Sequence, residues 1–319
     1  MSSALTSAQA EATRPRGLRA ARMRGTRGTR RRGRRVPRRL PFIVPYLPFL
    51  IAFGIAPMLY ALDLAVTDGN GNWAGFHNFA RTFQDYRFLP AFQHILLYTG
   101  VWLGTLMVFV VGLALALHGR ANRVSSAFRF LFYMPGALAG AASVLVWLFM
   151  LDPAVSPGSF LLRHVFGVQL FVQAIAPGNL PFVFAMIAFW TGAGGWIVVM
   201  YGALNTIPHE LEEAARIDGA GPLTIALRLK LPLIRKWIAY MTILSFATGT
   251  QLFIEPQLVN EASLGLVPDT WSSNQLAYQL AFRYGDFNAA AAIAVDLLVI
   301  GLVAAVLIVT RTGLFRTED

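Results

Sequence analysis

Five residues of one apolar stretch have the types and spacing to line a passage for a polar solute. If that stretch is helical, Ser245, Thr248, Gln251, Leu252 and Glu255 fall within about 120° of one another. They make a mostly polar stripe of hydroxyls, an amide and a carboxylate. A sugar or polyol needs such groups for its own hydroxyls. The same groups also serve as hydrogen-bond glue between membrane helices, so two readings of the stripe stand side by side. Two further acids, Asp63 and Asp296, interrupt apolar runs, where ionisable side chains are costly and have a reason to be there. Asp63 lies near the end of its run, within reach of water. Asp296 divides evenly between packing and passage.

Other chemistries are excluded by what the chain lacks. It has no Cys, so no disulfide framework and no Cys-based zinc site. Its five His show neither H-x-x-x-H nor H-E-x-x-H spacing, and no metal site is expected. No Gly-Lys dipeptide occurs, so no Walker A loop can hold a nucleotide phosphate. If ATP drives this protein, another chain hydrolyses it, and no cofactor is expected in this one. No Gly-x-Ser-x-Gly and no Ser, His and Asp set suggests hydrolysis, so the chain is not expected to be an enzyme.

The elements that must carry the stripe are membrane helices. Of the 319 residues 56% are hydrophobic and only 13% charged, and the mean hydropathy is +0.55, which places the chain in a bilayer. Six runs are long enough to cross it as helices, at roughly 42–66, 94–118, 128–151, 181–203, 237–259 and 288–311. Pro45, Pro48 and Pro57 are expected to bend the first. Before it, residues 1–40 hold thirteen Arg against one acid, Glu11. Such a tail is expected to be disordered and to touch anionic lipid, not nucleic acid. Arg38-Arg39-Leu40-Pro41-Phe42 hints at a twin-arginine export signal, but the many spans that follow favour a first membrane helix. The tail, the 119–129 turn, the 204–236 loop and the C-terminal tail hold 23 of the 27 Lys and Arg, leaving Arg81, Arg87, Arg163 and Arg283 to the opposite loops. That bias puts both termini and the 204–236 loop in the cytoplasm. The fold class is therefore all-α and polytopic, with one six-helix transmembrane domain over 41–319. The opposite loops are short. Asp68-Gly69-Asn70-Gly71 signals a turn, and 152–180 has room for a short re-entrant or interfacial helix.

Between the fourth and fifth spans lies a polar island, Tyr201 to Trp237. Pro208 suits a first helical turn, and Glu210, Glu212 and Glu213 complement the positive helix end. Leu211, Ala214, Ala215 and Asp218 share one face. Gly219, then Gly221-Pro222, stops the helix. The result is a short helix shaped to lie in a groove on another protein. Here Glu213-Ala214-Ala215, three residues, Gly219, nine residues, then Leu229-Lys230-Leu231-Pro232 resembles the EAA loop of ABC-importer permeases. The family pattern ends in I-x-L-P, so Leu229 is the one departure.

Further elements resemble the carbohydrate-uptake group of that family. Gly75-Phe76-His77-Asn78-Phe79 is similar to its G-L-x-N-F/Y element. Phe128-Arg129-Phe130 through Met134-Pro135 to Trp147 is similar to the opening of its third span. Trp190 with Gly192, Gly194 and Gly195 matches a region of its fourth, where the glycines either admit substrate or allow close packing, the latter slightly preferred. Gln251 to Pro256 and Ala281 to Phe287 are similar to segments of and before its last two spans. The resemblance covers 40–315 and lacks the large outer insert of the maltose-type subunit. It implies six transmembrane helices with a cytoplasmic coupling helix at 208–219 between the fourth and fifth. It implies four partner chains: a second, similar permease, an ATPase dimer and an extracytoplasmic solute-binding protein. It assigns Glu213, Ala214, Ala215, Asp218, Gly219, Leu229, Leu231 and Pro232 to coupling, with Glu213 pairing with a basic residue of the ATPase. It makes Trp190 and Thr191 companions of the stripe, since the family's path runs between these spans. The expected cargo is a sugar or polyol. Glycerol phosphate, a polyamine or another solute is the alternative, as is an ATP-independent transporter, although no internal inverted repeat is visible.

Overall fold

The structure, a computed structural model, describes residues 45–118, 122–138 and 140–312. The basic tail expected over 1–40 lies outside the described residues. Contacts divide the chain between Ile51 and Ala52. Before that boundary the described residues form one turn of helix, Tyr46–Leu50; all packing below concerns residues from Ala52 on.

In chain order the helices are α1 (Tyr46–Val66), α2 (His77–Gln84), α3 (Phe88–His118), α4 (Asn122–Tyr133), α5 (Ala141–Leu151), α6 (Ser159–His164), α7 (Phe171–Ala174), α8 (Leu180–Leu204), α9 (His209–Ile217), α10 (222–233), α11 (Arg235–Gly249), α12 (Ile254–Ala262), α13 (Ser273–Tyr278) and α14 (Phe287–Thr312). The described residues hold no strand, only an isolated bridge from Thr67 to Trp73. The all-α expectation is met.

α1, α3, α8 and α14 are each long and apolar enough to cross a bilayer. The runs expected at 128–151 and 237–259 are instead broken. α4, with its 3-10 extension Met134–Ala137, meets α5 at 104°, and α11 meets α12 at 42°. The first break has a sequence cause: Pro135 opens the 3-10 turn, and Gly140 adopts φ +50°, which no ordinary side chain favours. At the second, the chain leaves α11 at Gly249, and Phe253 is extended in φ at −141° before Pro256 in the first turn of α12. Counting each bent pair once gives six spans.

α8 is the centre of the bundle, touching α3, α4, α5 and α11. Its Phe184, Ile187, Ile197, Met200 and Leu204 are fully buried. It reaches α4 backbone to backbone: a Cβ on Gly194 would overlap the Phe132 and Tyr133 main chain, and one on Gly136 would sit 2.9 Å from the Thr191 carbonyl oxygen. Small residues bring membrane helices together in this way. Of the three glycines on α8, Gly194 therefore serves packing, a Cβ on Gly192 would make ordinary contact with the Trp102 ring at 3.7 Å, and Gly195 faces open space. On the outside, α14 leaves Leu298, Leu302, Val306 and Leu307 half exposed. Water would penalise such a surface, whereas hydrocarbon accepts it, because the helix satisfies its own backbone.

At the end of the bundle where α1 finishes, two asparagines complete the backbone accounting. A helix terminus leaves carbonyls without partners. Asn78 Nδ2 donates to Ala65 O and Thr67 O at 3.0 and 2.8 Å, and Asn288 Nδ2 donates to Leu64 O and Thr67 O at 2.9 and 2.8 Å. The Asn78 of the Gly75–Phe79 element thus ties α2 to α1. Asp286 caps α14 through Ala289 N at 3.0 Å and pairs with Arg81 at 2.6 Å. Asp68 bonds the amides of Asn70 and Asn72 in the expected turn. The Arg87 guanidinium hydrogen-bonds Asp85 and holds its carboxyl below the usual range.

Candidate functional site: the loop between α8 and α11

α9 begins just after Pro208, whose ψ of 135° keeps it outside the helix it introduces. Glu210 and Glu212 occupy the first turn, where negative charge meets the positive helix end. The helix stops at Ile217, and Gly219 takes φ +83° with nothing within 4 Å of a built Cβ. The turn therefore needs glycine for its backbone, not for space. Gly221 then precedes Pro222, which opens α10. Within α10 the turn over Ile225–Lys230 is widened to a π-helix. Pro232 follows and offers no N–H to the carbonyl one turn back.

The two faces of α9 differ in kind. Glu213, Ala214, Asp218 and Gly219 are exposed, Ala215 is half buried, and Leu211 and Ile217 present apolar surface. Glu212, one residue before Glu213, points the other way. Its side chain is 9% exposed, and Oε1 lies 2.9 Å from Lys230 Nζ. Lys230, 8% exposed, also lies 2.9 Å from Nδ1 of His118, the last residue of α3. An ammonium can only donate, so His118 accepts at Nδ1 and carries its proton on Nε2. Arg216 stands 3.8 Å from Glu212 Oε2, one turn on. The His118 ring meets Tyr201 at the end of α8 edge to face at 5.8 Å, and the Arg129 guanidinium of α4 lies over the same Tyr201 ring, 3.9 Å from its centre. One buried charge pair thus ties α9 to α10 and to the end of α3, with α8 and α4 alongside.

Leu229 and Leu231 are half buried, and Leu231 packs against the core beneath the loop; Pro232 is exposed. The residues assigned to coupling by resemblance therefore divide. Those of α9 and Gly219 lie mainly on the exposed side, and those of α10 root the loop. Sequence reading placed Glu212 only as a helix-end charge. Its partners lie 112 residues apart in sequence, beyond any local pattern.

The membrane stripe is not one helical face. The 42° break falls between Thr248 and Glu255, and it redistributes the five residues. Ser245 and Leu252 are buried, and the Ser245 hydroxyl has no hydrogen-bond partner. Thr248 is exposed and donates back to Leu244 O and Ser245 O at 3.1 Å. Gln251 is exposed and lines a cleft of about 790 Å³ with Thr250, Phe253, Asn274 and Tyr278 against α14. Glu255 is half buried in the first turn of α12. Trp190 stands edge-on to Trp147 of α5 at 5.8 Å, and the Thr191 hydroxyl donates to Ile187 O and Ala188 O. Only Gln251 of the set faces the cleft. Among the described residues no group of three His, Asp or Glu could hold a metal.

Residues 108–311, which include α8, the loop and the bent pair α11 and α12, match the family model described as binding-protein-dependent transport system inner membrane component. The chain belongs to that family. It is thus a component of a transport system and of a membrane, in a family defined by transport and not by catalysis. Two curated relatives are, by name, permease proteins of a transport system and an uptake system for sugars. One is the maltose/maltodextrin transport system permease protein MalF of Klebsiella aerogenes, 29% identical over 233 residues, covering 69% of this chain and 45% of that protein. The other is the diacetylchitobiose uptake system permease protein NgcF of Streptomyces coelicolor, 29% identical over 283 residues, covering 82% and 78%. The chain thus spans about half the length of MalF and most of NgcF. Among solved structures, a bacterial ABC transporter involved in the import of the acidic polysaccharide alginate superposes with a TM-score of 0.72 at 20% identity, over 87% of this permease and 96% of that chain. That likeness is one of fold.

Proposed function

We propose that this permease is one membrane subunit of an ATP-driven importer for a sugar or related polyol. A second permease, a cytoplasmic ATPase dimer and an extracytoplasmic solute-binding protein would complete the assembly, with both termini of this chain in the cytoplasm. The observation that carries the reading is the two-sided α9. Its outer face offers Glu213, Ala214 and Asp218 to a partner, while its inner face is fixed to the membrane helices through Glu212. Such a helix can act as a lever. ATP binding closes the ATPase pair, the groove moves α9, and the buried charges pass the displacement to α3 and α10. The bundle then shifts between two discrete packings, open to one side or the other. This chain supplies no group for ATP chemistry; the ATPase would hydrolyse it.

For cargo, the names of the two relatives favour carbohydrate. The bend between α11 and α12 agrees: Thr250, Gln251 and Asn274 offer hydroxyl and amide groups beside the Phe253 and Tyr278 rings, with no basic residue in the cleft. That lining suits neutral hydroxyls better than an anion. The test is isolation of the permease from its native membrane in mild detergent, followed by sugar-stimulated ATP hydrolysis in reconstituted vesicles. Co-recovery of an ATPase and stimulation by a neutral oligosaccharide are expected. Glu213→Lys should abolish uptake while leaving membrane insertion intact. Normal uptake in that variant, or recovery of the permease alone where other complexes survive extraction, would overturn the coupling assignment.

A further inference from the structure

Beneath the loop, a cleft of about 920 Å³ opens between α3, α11 and α14. Its walls are mostly apolar, Met107, Val111, Ile238, Ala239, Leu307 and Ile308, with Leu231 and Pro232 of α10 at the loop end and Thr242 as the one uncharged polar side chain. Arg235, the first residue of α11, and Arg311, in the last turn of α14, also line it. Neither arginine meets a carboxylate among the described residues, although acids and arginines pair elsewhere in the permease. Two residues into α11, Trp237 is half exposed, and Tyr240 follows one turn on. Aromatic residues of this kind mark the level where hydrocarbon gives way to headgroups. The arginines therefore stand at headgroup depth, and the apolar walls run away from them into the bilayer.

We propose that this cleft binds one anionic phospholipid, its phosphate held by Arg235 and Arg311 and an acyl chain lying along the apolar walls. Charge decides between occupants. An apolar helix from a second permease would cover two cations without supplying a counter-charge, and an unpaired buried cation is costly. The Arg-rich segment 1–40 of the permease itself carries the same sign. A phospholipid brings both an anion and a hydrocarbon tail to the right ends of the groove, and arginine forks match phosphate oxygens two at a time. The cytoplasmic leaflet follows from the orientation proposed above; the binding itself does not depend on that orientation or on the cargo.

Native mass spectrometry of the full permease, extracted in mild detergent and offered phosphatidylglycerol or phosphatidylcholine with matched chains, tests this. One retained phosphatidylglycerol per chain is expected, with little phosphatidylcholine. The Arg235→Gln/Arg311→Gln double variant should bind it about thirtyfold more weakly, as the loss of two basic groups at an anionic surface implies. The Arg235→Lys/Arg311→Lys variant should retain much of it, and Arg228→Gln, outside the cleft, should bind as the parent does. Equal retention of both lipids, or an equal loss in the Arg228 variant, would overturn the proposal. A photoreactive residue at position 308, in the otherwise unaltered chain, reads the occupant even where the arginine variants fail to fold. A lipid adduct supports the site, and a polypeptide adduct makes the cleft a subunit interface and sinks the proposal.

Discussion

The root of α9 and the bend between α11 and α12 both place polar groups inside the permease, and they treat them in opposite ways. At the root, Glu212, Lys230 and His118 are buried together at 2.9 Å contacts. Pulling α9 from α3 or α10 would strand charge in a poorly solvated interior, so these pieces move together or not at all. At the bend, Thr99 and Ser245 have buried hydroxyls without partners, and Gln251 stands exposed at a cleft. Those groups have hydrogen-bonding capacity left over. A transporter needs both kinds of region: one that gives no slack to an applied force, and one whose polar groups can exchange partners as a solute passes. The difference lies in charge: the root is a buried ion pair, whereas the bend holds neutral groups free to exchange partners.

The sharpest way to break this comparison is to unpair the root. Glu212→Ala leaves Lys230 buried without its carboxylate, which costs about 3–5 kcal/mol when one partner of a buried pair is removed. Its neighbour Glu213→Ala, on the exposed side, should stay within about 0.5 kcal/mol. Unfolding followed by limited proteolysis in detergent reads both. A Glu212→Leu/Lys230→Met double variant should recover most of the lost stability, since apolar replacement of both charges is often neutral. Equal, small effects at 212 and 213 would mean that the root is not a lock. Next in size comes the crossing that supports the root. Gly194→Val drives a side chain into the Phe132 main chain and should cost about 1–3 kcal/mol or more. Gly195→Ala, facing open space, should be silent in the same assay.

The spans are legible because hydrocarbon imposes a length on apolar runs: α8 and α14 begin and end within a residue of their expected limits, while α3 ends at His118 as expected but begins six residues early, at Phe88. The breaks are not, because hydropathy counts apolar residues without regard to backbone direction. Pro135 and Gly140 carried a local signal for the first break. Nothing as strong marks Gly249 to Phe253, so the stripe was read as one face when the chain turns through its middle. Gly219 was legible because a left-handed φ has a residue-level signature. The root was not, because a charge pair between α9 and α10 completed by α3 is a tertiary fact. A hint existed: Lys230 is one of only two lysines and sits among leucines, and His118 closes an apolar run. The roles of Asn78 and Asn288 as caps for α1 were equally remote, set by carbonyls more than ten residues away in one case and more than two hundred in the other.

Two smaller effects sharpen the comparison. Gly219→Ala forces a Cβ into φ +83°, at about 1–2 kcal/mol. The strain is confined to the turn after α9, so proteolysis within 204–236 should quicken while the spans keep their resistance. Uniform loss of resistance would show that the loop and the bundle unfold as one unit. The smallest effect belongs to the bend. Ser245 keeps a buried hydroxyl with no partner, so Ser245→Ala removes a desolvated group and loses no bond. Stability should hold or rise by a few tenths of a kcal/mol, within about 0.5. A hydroxyl kept for a solute should show its value in uptake instead, as a raised KM with kcat unchanged. Gln251→Ala, at the cleft, provides the comparison. If Ser245→Ala destabilises the fold by a full kcal/mol or more, the hydroxyl is bonded in the resting molecule. The bend would then hold no polar group in reserve for a solute, and the contrast between the two regions would be lost.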